Sequence, residues 1–101
     1  MEKKVPHYKL LLIQAQVRQK GVDAFTRTAL DGGREMGLSF EQMVIVVCEL
    51  TGKQFFKSMT TFADHTIWQD VYHARTPAGT AYIKFTLRQS TVVIQFKRKQ
   101  Q

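Results

Sequence analysis

The sequence predicts an α+β fold, in which three N-terminal helices pack on one face of an antiparallel β-sheet of about four main strands. Up to about residue 52, apolar residues recur at helical spacing, and beyond it they alternate with polar residues as in half-buried strands. The chain has 101 residues, of which 44% are hydrophobic and 23% charged, as is typical of a folded protein. Because this length suits one hydrophobic core, residues 1–101 are predicted to form a single domain.

The first two helices are predicted from apolar spacing and from residues that favour helix ends. Residues 8–20 place apolar side chains on one helical face, and Gly21 follows as a helix stop. The short segment 22–25 could be extended. Thr26 can cap a second helix, which we expect to continue to Met36.

The third helix has a capping box at its start. Ser39 can accept a hydrogen bond from the amide of Gln42, whose side chain can reach back to the amide of residue 39. The apolar spacing then predicts a helix to about Thr51, closed by Gly52.

Four strands in an antiparallel meander are predicted from Lys53 onward. Segments rich in aromatic and β-branched residues are interrupted near Asp64, at residues 76–79 and at residues 89–90. The clearest strand, residues 81–88, alternates apolar with polar side chains. One face of the sheet should therefore meet the helices, and the other should be polar.

This polar face is the candidate functional surface. If residues 89–90 form a two-residue turn, Tyr82 lies opposite Lys97 and Lys84 lies opposite Gln95. A similar turn at residues 76–79 places His73 opposite Tyr82. One bulge would turn a strand over, so the register is conditional. The face would then carry His73, Gln69, Tyr82, Lys84, Gln95 and Lys97.

The net charge of +7 indicates a polyanionic partner, because clustered Lys and Arg attract phosphates. The charge is uneven: after Gly52, eight basic residues accompany only two acidic ones. Such a face suits RNA, since amides can read base edges and an aromatic ring can stack an unpaired base. RNA cleavage would also need proton transfer, which Lys and Tyr perform only when their pKa values move toward neutrality. Two alternatives to an RNA site remain: a solvent-exposed polar face with no catalytic function, or a surface that binds an acidic protein partner.

Other kinds of site have little support. His7, His65 and His73 do not stand at recognised metal-ligand spacings, and no glycine-rich phosphate loop is present, so neither a metal nor a cofactor is predicted. The one cysteine, Cys48, cannot form an internal disulfide. The N-terminal apolar run, residues 10–13, is too short for a signal peptide or a membrane span. We therefore expect a cytoplasmic protein that does not bind membranes.

Two runs in the middle of the chain carry a specific resemblance. FKSMTT at residues 56–61, followed by DHTIWQDVY at residues 64–72, resembles the motility quorum-sensing regulator (MqsR) toxin family. The resemblance covers nearly the whole chain, and continues through residues 1–4, 6–7, 37–38, 82–84 and 96–97.

The resemblance implies a RelE/YoeB-like fold and a metal-independent endoribonuclease, or mRNA interferase, of a type II toxin–antitoxin system. Its substrate would be single-stranded mRNA, cut at short GC-containing sites without the ribosome, which would inhibit translation and growth. Its partner would be an MqsA-like antitoxin, a zinc-binding protein with a helix-turn-helix part. The toxin would contact operator DNA only indirectly, through this antitoxin. Stress, persistence, biofilm and transcription regulation are the roles that the resemblance implies.

The resemblance also implies the residues of the site. The expected catalytic residues are Lys57, Gln69, Tyr82 and Lys97, and those expected to bind RNA are Phe56, Met59, His73 and Lys84. The two lysines of the catalytic set would hold the phosphate, Tyr82 would transfer a proton or place the substrate, and Gln69 would donate an orienting hydrogen bond. A tight connection through Asp64 is expected to bring Lys57 opposite Gln69. A non-catalytic nucleic-acid-binding regulator is the alternative.

Overall fold

The structure, a computed structural model, describes residues 1–100. Within that range the helices are α1 (Leu10–Lys20), α2 (Arg27–Glu35) and α3 (Phe40–Cys48), with short 3₁₀ turns at Gly21–Ala24 and Gly52–Gln54. None of these helices is long and apolar enough to cross a membrane.

The helix starts confirm the capping signals. The Thr26 hydroxyl accepts a hydrogen bond from the amide of Ala29 at 3.0 Å. Ser39 and Gln42 form the reciprocal capping box, with hydrogen bonds of 2.8 and 3.1 Å. The first helix starts two residues later than predicted, at Leu10, and ends at Gly21 as expected.

Two predictions about the helical half were wrong in detail. The third helix ends at Cys48 rather than near Thr51, and Gly52 begins a 3₁₀ turn instead of closing the helix. The segment 22–25 is mostly part of the first 3₁₀ turn, and only Phe25 is extended. There it forms a parallel bridge with Ile94, a long-range contact that the local pattern does not contain.

Over residues 1–100, the sheet has five antiparallel strands in the order β1-β2-β3-β4-β5. They are β1 (Glu2–Lys3), β2 (Phe55–Thr60), β3 (Trp68–Thr76), β4 (Gly79–Arg88) and β5 (Thr91–Arg98). The α+β fold is as predicted. The strand missing from the prediction is β1, whose two residues are too few to show alternation.

The register of the two hairpins is as predicted. Gln89 and Ser90 have φ values of 52° and 64°, as a type I′ turn requires. Arg88 therefore pairs with Thr91, and counting outward pairs Tyr82 with Lys97. On the other side of β4, His73 pairs with Tyr82.

The hydrophobic core lies between the helices and one face of the sheet. Its buried side chains include Ile13, Val17, Met43 and Val47 from the helices, and Tyr72, Ile83, Phe85, Ile94 and Phe96 from the strands. Helix α2 lies close along β5, and at Gly32 an added Cβ would be only 2.2 Å from the carbonyl oxygen of Phe96. Because the helices cover one face, the opposite face remains open to a partner.

Candidate functional site

The open face of the sheet carries the predicted site residues in three neighbouring cross-strand rows. Residues directly opposite each other on antiparallel strands point to the same face, and successive rows lie about 7 Å apart. The rows are Phe56, His73, Tyr82 and Lys97; Lys57, Val71, Lys84 and Gln95; and Glu2, Met59 and Gln69. All eight residues expected in the site thus share one face.

A β-bulge at Phe56 shapes the first two rows. Phe55 pairs with Tyr72 while Lys57 pairs with Val71, so β2 has one extra residue between them. Phe55 packs edge-on against the Tyr72 ring on the core side, with ring centroids 5.5 Å apart. Phe56 instead stacks on His73 at 4.3 Å on the open side.

The expected pairing of Lys57 with Gln69 was wrong. The connection between β2 and β3 spans residues 61–67 and is not tight, so Gln69 pairs with Met59 and Lys57 pairs with Val71. Lys57 and Gln69 remain on the same face, one row apart.

The first row is a continuous aromatic surface edged by cations. The ring centroids of His73 and Tyr82 are 5.7 Å apart, next to the Phe56–His73 stack. The Lys97 ammonium lies 5.4 Å from the Tyr82 centroid, and the Lys57 ammonium lies 5.6 Å from the Phe56 centroid. Rings for stacking and ammonium groups for phosphates are the elements with which proteins bind single-stranded nucleic acid.

The pKa values of three groups on this face are shifted by their surroundings. Burial, helped by Lys97, lowers the pKa of Lys84. Burial, helped by Lys99, lowers the pKa of His73. Burial raises the pKa of Tyr82, against a smaller opposing effect of Lys57. The shift toward neutrality that proton transfer needs is thus found for Lys84 but not for Tyr82, which keeps its proton at neutral pH.

The comparison with known proteins assigns the chain to a family. A sequence model described as motility quorum-sensing regulator, toxin of MqsA, matches residues 5–98. The chain belongs to the MqsR family of toxins. It is also similar to the mRNA interferase toxin MqsR of Escherichia coli (strain K12), with 42% identity over 99 residues, which cover 98% of this chain and all of that protein. The family resemblance of residues 56–61 and 64–72 is confirmed.

In this MqsR-family chain, the N-terminus adds an acidic group that the sequence did not predict for the site. The Glu2 carboxylate forms an ion pair with the Lys57 ammonium, which lowers the pKa of Glu2. The side chains of Glu2 and Lys57 are 56% and 22% exposed, so RNA can reach the pair. The opening residues carry part of the MqsR-family resemblance, but nothing in the sequence places them beside β2.

The buried Asp70 holds this N-terminal segment in position. Its carboxylate accepts hydrogen bonds from the amide of His7, at 3.0 Å to each oxygen, and from the amide of Tyr8 at 2.8 Å. Asp70 is fully buried, and this pairing of backbone donors with a carboxylate satisfies its charge. It thereby fixes the segment that leads from β1, with Glu2, to α1.

A concave pocket adjoins the first two rows where α2 begins. It has a volume of about 360 Å³ and its walls come from α2, β4 and β5. Its lining residues are Thr26, Thr28, Ala29, Tyr82, Lys84, Gln95, Phe96 and Lys97. The two threonines were not predicted as site residues, because only the tertiary packing of α2 against β5 brings them to this face.

The histidines considered as metal ligands in the sequence make other contacts or lie in a loop. His7 stacks on Trp68 at 5.3 Å, and its Nδ1 accepts a hydrogen bond from Lys3 at 2.8 Å. His65 is exposed in the connection between β2 and β3. Within residues 1–100, no three His, Cys, Asp or Glu side chains come together in a way that could hold a metal ion.

Proposed function

We propose that this MqsR-family toxin is an endoribonuclease that cuts single-stranded mRNA without a metal ion. The observation that carries the proposal is the gathering of Lys57, Gln69, Tyr82 and Lys97 in adjoining rows of one open face. The similar Escherichia coli protein is named an mRNA interferase toxin, which supports the same activity here. The positive charge of the chain favours the binding of RNA phosphates.

The chemistry begins with attack of a ribose 2′-oxygen on the neighbouring phosphorus. The bond from phosphorus to the 5′-oxygen then breaks, and the products are a 2′,3′-cyclic phosphate and a 5′-hydroxyl. Lys57 and Lys97 stabilise the negative charge that develops on the phosphate oxygens. Gln69 orients the substrate by donating a hydrogen bond.

Proton transfer is divided according to the directions of the pKa shifts. The raised pKa makes the Tyr82 phenol a weaker acid than the sequence expectation required, but the phenol stays protonated, and the leaving 5′-alkoxide is a much stronger base, so Tyr82 can still donate the proton to it. The lowered pKa of His73 favours its neutral imidazole, which can accept the proton of the 2′-hydroxyl, and the pKa of Lys84 is shifted in the direction that a proton acceptor needs. A pH–rate profile separates the two, because protonation of the accepting group causes the fall in rate on the acidic side: His73→Asn removes this acidic limb if His73 accepts the proton, and Lys84→Met removes it if Lys84 does.

The partner that we propose is an MqsA-like antitoxin, since the matching family is described as the toxin of MqsA. Such an antitoxin would be a zinc-binding protein with a helix-turn-helix part, and operator DNA would be reached only through it. Residues 1–101 would act as one toxin domain in the cytoplasm, where the toxin would encounter its mRNA substrate. Cleavage at short GC-containing sites would inhibit translation and growth, and link the toxin to stress, persistence and biofilm regulation.

The decisive experiment is incubation of antitoxin-free protein with a defined mRNA in the presence of a chelator, followed by mapping of the 5′ ends. The wild type is compared with Lys57→Ala and with Lys53→Ala, a matched control at an exposed lysine in the 3₁₀ turn before β2. We expect cleavage at recurring short sites in the wild type and in Lys53→Ala, and none in Lys57→Ala. Intact RNA that folded wild-type protein binds would instead indicate a non-catalytic regulator.

A further inference from the structure

We propose that the pocket between α2, β4 and β5 binds one nucleotide of single-stranded RNA beside the bond to be cut, with Thr28 and Gln95 contacting its base. The inference rests on the proposed function and adds a substrate subsite to it. The pocket shares Tyr82, Lys84 and Lys97 with the rows of the open face. A nucleotide in the pocket is therefore joined directly to the phosphate at the candidate catalytic residues.

The lining of the pocket suits the parts of a nucleotide. Lys97 provides an ammonium group for a phosphate, Lys84 lines the pocket beside it, and the ring of Tyr82 provides a face for stacking. The Gln95 amide can both donate and accept hydrogen bonds at a base edge, and the Thr28 hydroxyl can do the same. Both side chains are exposed and therefore accessible to a ligand.

Thr26 plays a different part from Thr28. Its hydroxyl accepts the hydrogen bond from the Ala29 amide that caps α2, and its own amide donates to the carbonyl of Ile94 at 3.1 Å. Thr26 therefore fixes the start of α2 against β5. The side chains that would distinguish one base from another are Thr28 on one wall and Gln95 on the other.

The wall formed by α2 is built by close packing. Helix and strand approach so closely at Gly32 that an added Cβ would lie 2.2 Å from the carbonyl oxygen of Phe96. The volume of about 360 Å³ is near the lower end of the range of ligand pockets, roughly 300–1,000 Å³. A pocket of this size with a fixed wall accommodates a single nucleotide and excludes a duplex.

The first test is a titration of isotope-labelled wild-type protein with each of the four ribonucleoside 3′-monophosphates, followed by NMR. We expect the Thr28 methyl and Gln95 side-chain amide signals to shift, with one base binding more tightly than the others. The signal of Thr91, on the same strand as Gln95 but outside the pocket, should not move.

The second test uses Thr28→Val and Gln95→Leu, with Thr91→Val as the matched control. Loss of one neutral hydrogen bond corresponds to a weakening of about 2- to 10-fold. We expect KM for a short target RNA to rise by that factor in the two pocket variants, with a relaxed base preference at one position next to the cut. Thr91→Val should cleave like the wild type.

The outcomes separate this inference from the proposed function. If the wild type cuts mRNA but the Thr28 and Gln95 signals stay in place during the titration, the subsite is refuted and the endoribonuclease stands. If both signals shift with a base preference while mRNA remains intact, the nucleotide subsite stands and the endoribonuclease is refuted.

Discussion

Replacement of Gly32 by alanine should loosen α2 from β5 and destabilise the protein. An ideal Cβ at residue 32 would lie 2.2 Å from the carbonyl oxygen of Phe96 and 3.2 Å from the Cα of Lys97. Both are backbone atoms, so the clash is relieved only if the helix or the strand moves. Overpacking costs about 1–3 kcal/mol, and a 2.2 Å approach to a backbone atom that cannot rotate away belongs in the upper part of that range, about 2–3 kcal/mol; the better helix propensity of alanine returns about 1 kcal/mol. The free energy of unfolding should therefore fall by about 1–2 kcal/mol.

Gly33→Ala on the same helix is the matched control. Its added Cβ would meet Met43 at the sulfur (2.2 Å) and the terminal methyl (2.7 Å). With the Cγ at 2.9 Å, all three close atoms belong to the flexible Met43 side chain and none to the backbone, so a change of Met43 rotamer can relieve the clash. Because alanine also improves helix propensity, we expect a smaller loss than in Gly32→Ala.

Urea unfolding followed by circular dichroism measures both variants. The helix–strand packing described here requires Gly32→Ala to be the less stable of the two. If it unfolds at the same urea concentration as the wild type, or at a higher one than Gly33→Ala, the close approach of α2 to β5 is refuted.

The other predictions concern the N-terminal segment. Glu2→Gln should lower KM for RNA at low salt, because the Lys57 ammonium loses a carboxylate that competes with phosphate. The difference in KM should vanish at high salt, and an unchanged KM at low salt would contradict this competition. Asp70→Asn should lower the free energy of unfolding by about 1.5–3 kcal/mol in urea titrations, because a buried charge-assisted hydrogen-bond network is lost. Burial and Lys3 lower the pKa of His7, so the unfolded chain takes up its proton first, near its ordinary pKa of about 6.5. The contribution of His7 to the free energy of unfolding should thus be complete above that pH and be lost as the pH drops through the folded-state pKa. Measured in urea titrations at several pH values, His7→Gln should flatten this part of the curve. An equally steep curve in His7→Gln would show that His7 does not cause the pH dependence.

The hairpin strands could be predicted from the sequence because their connections are short. The turns at residues 77–78 and 89–90 each leave two residues between strands, so counting outward from the turn fixes every pair. Such counting places His73, Tyr82 and Lys97 in one row without any tertiary contact. The helix starts were predictable for a related reason, since a cap is a local hydrogen bond within three or four residues.

The long-range features could not be predicted in this way. Strand β1 has two residues and pairs with a strand more than fifty residues away, so neither alternation nor turn length indicates it. The role of Asp70 depends on backbone amides of a segment that only the folded chain brings near. The pocket beside α2 likewise depends on the packing of Gly32 against β5. Glu2 and Thr28 were missed for these reasons.

The bulge at Phe56 is a local feature, like the turns, but the sequence pattern does not reveal it. Its role can be tested by deletion. Strict alternation would place Phe55 and Lys57 on the same face, although one packs in the core and the other belongs to the open face. Deletion of Phe56 restores regular pairing, with Phe55 still opposite Tyr72 and Lys57 still opposite Val71. The deletion should therefore fold, keep Lys57 in the site, and lose only the ring that stacks on His73. RNA affinity should fall as much as in Phe56→Ala, whereas a deletion variant that fails to fold would show that the bulge itself is required.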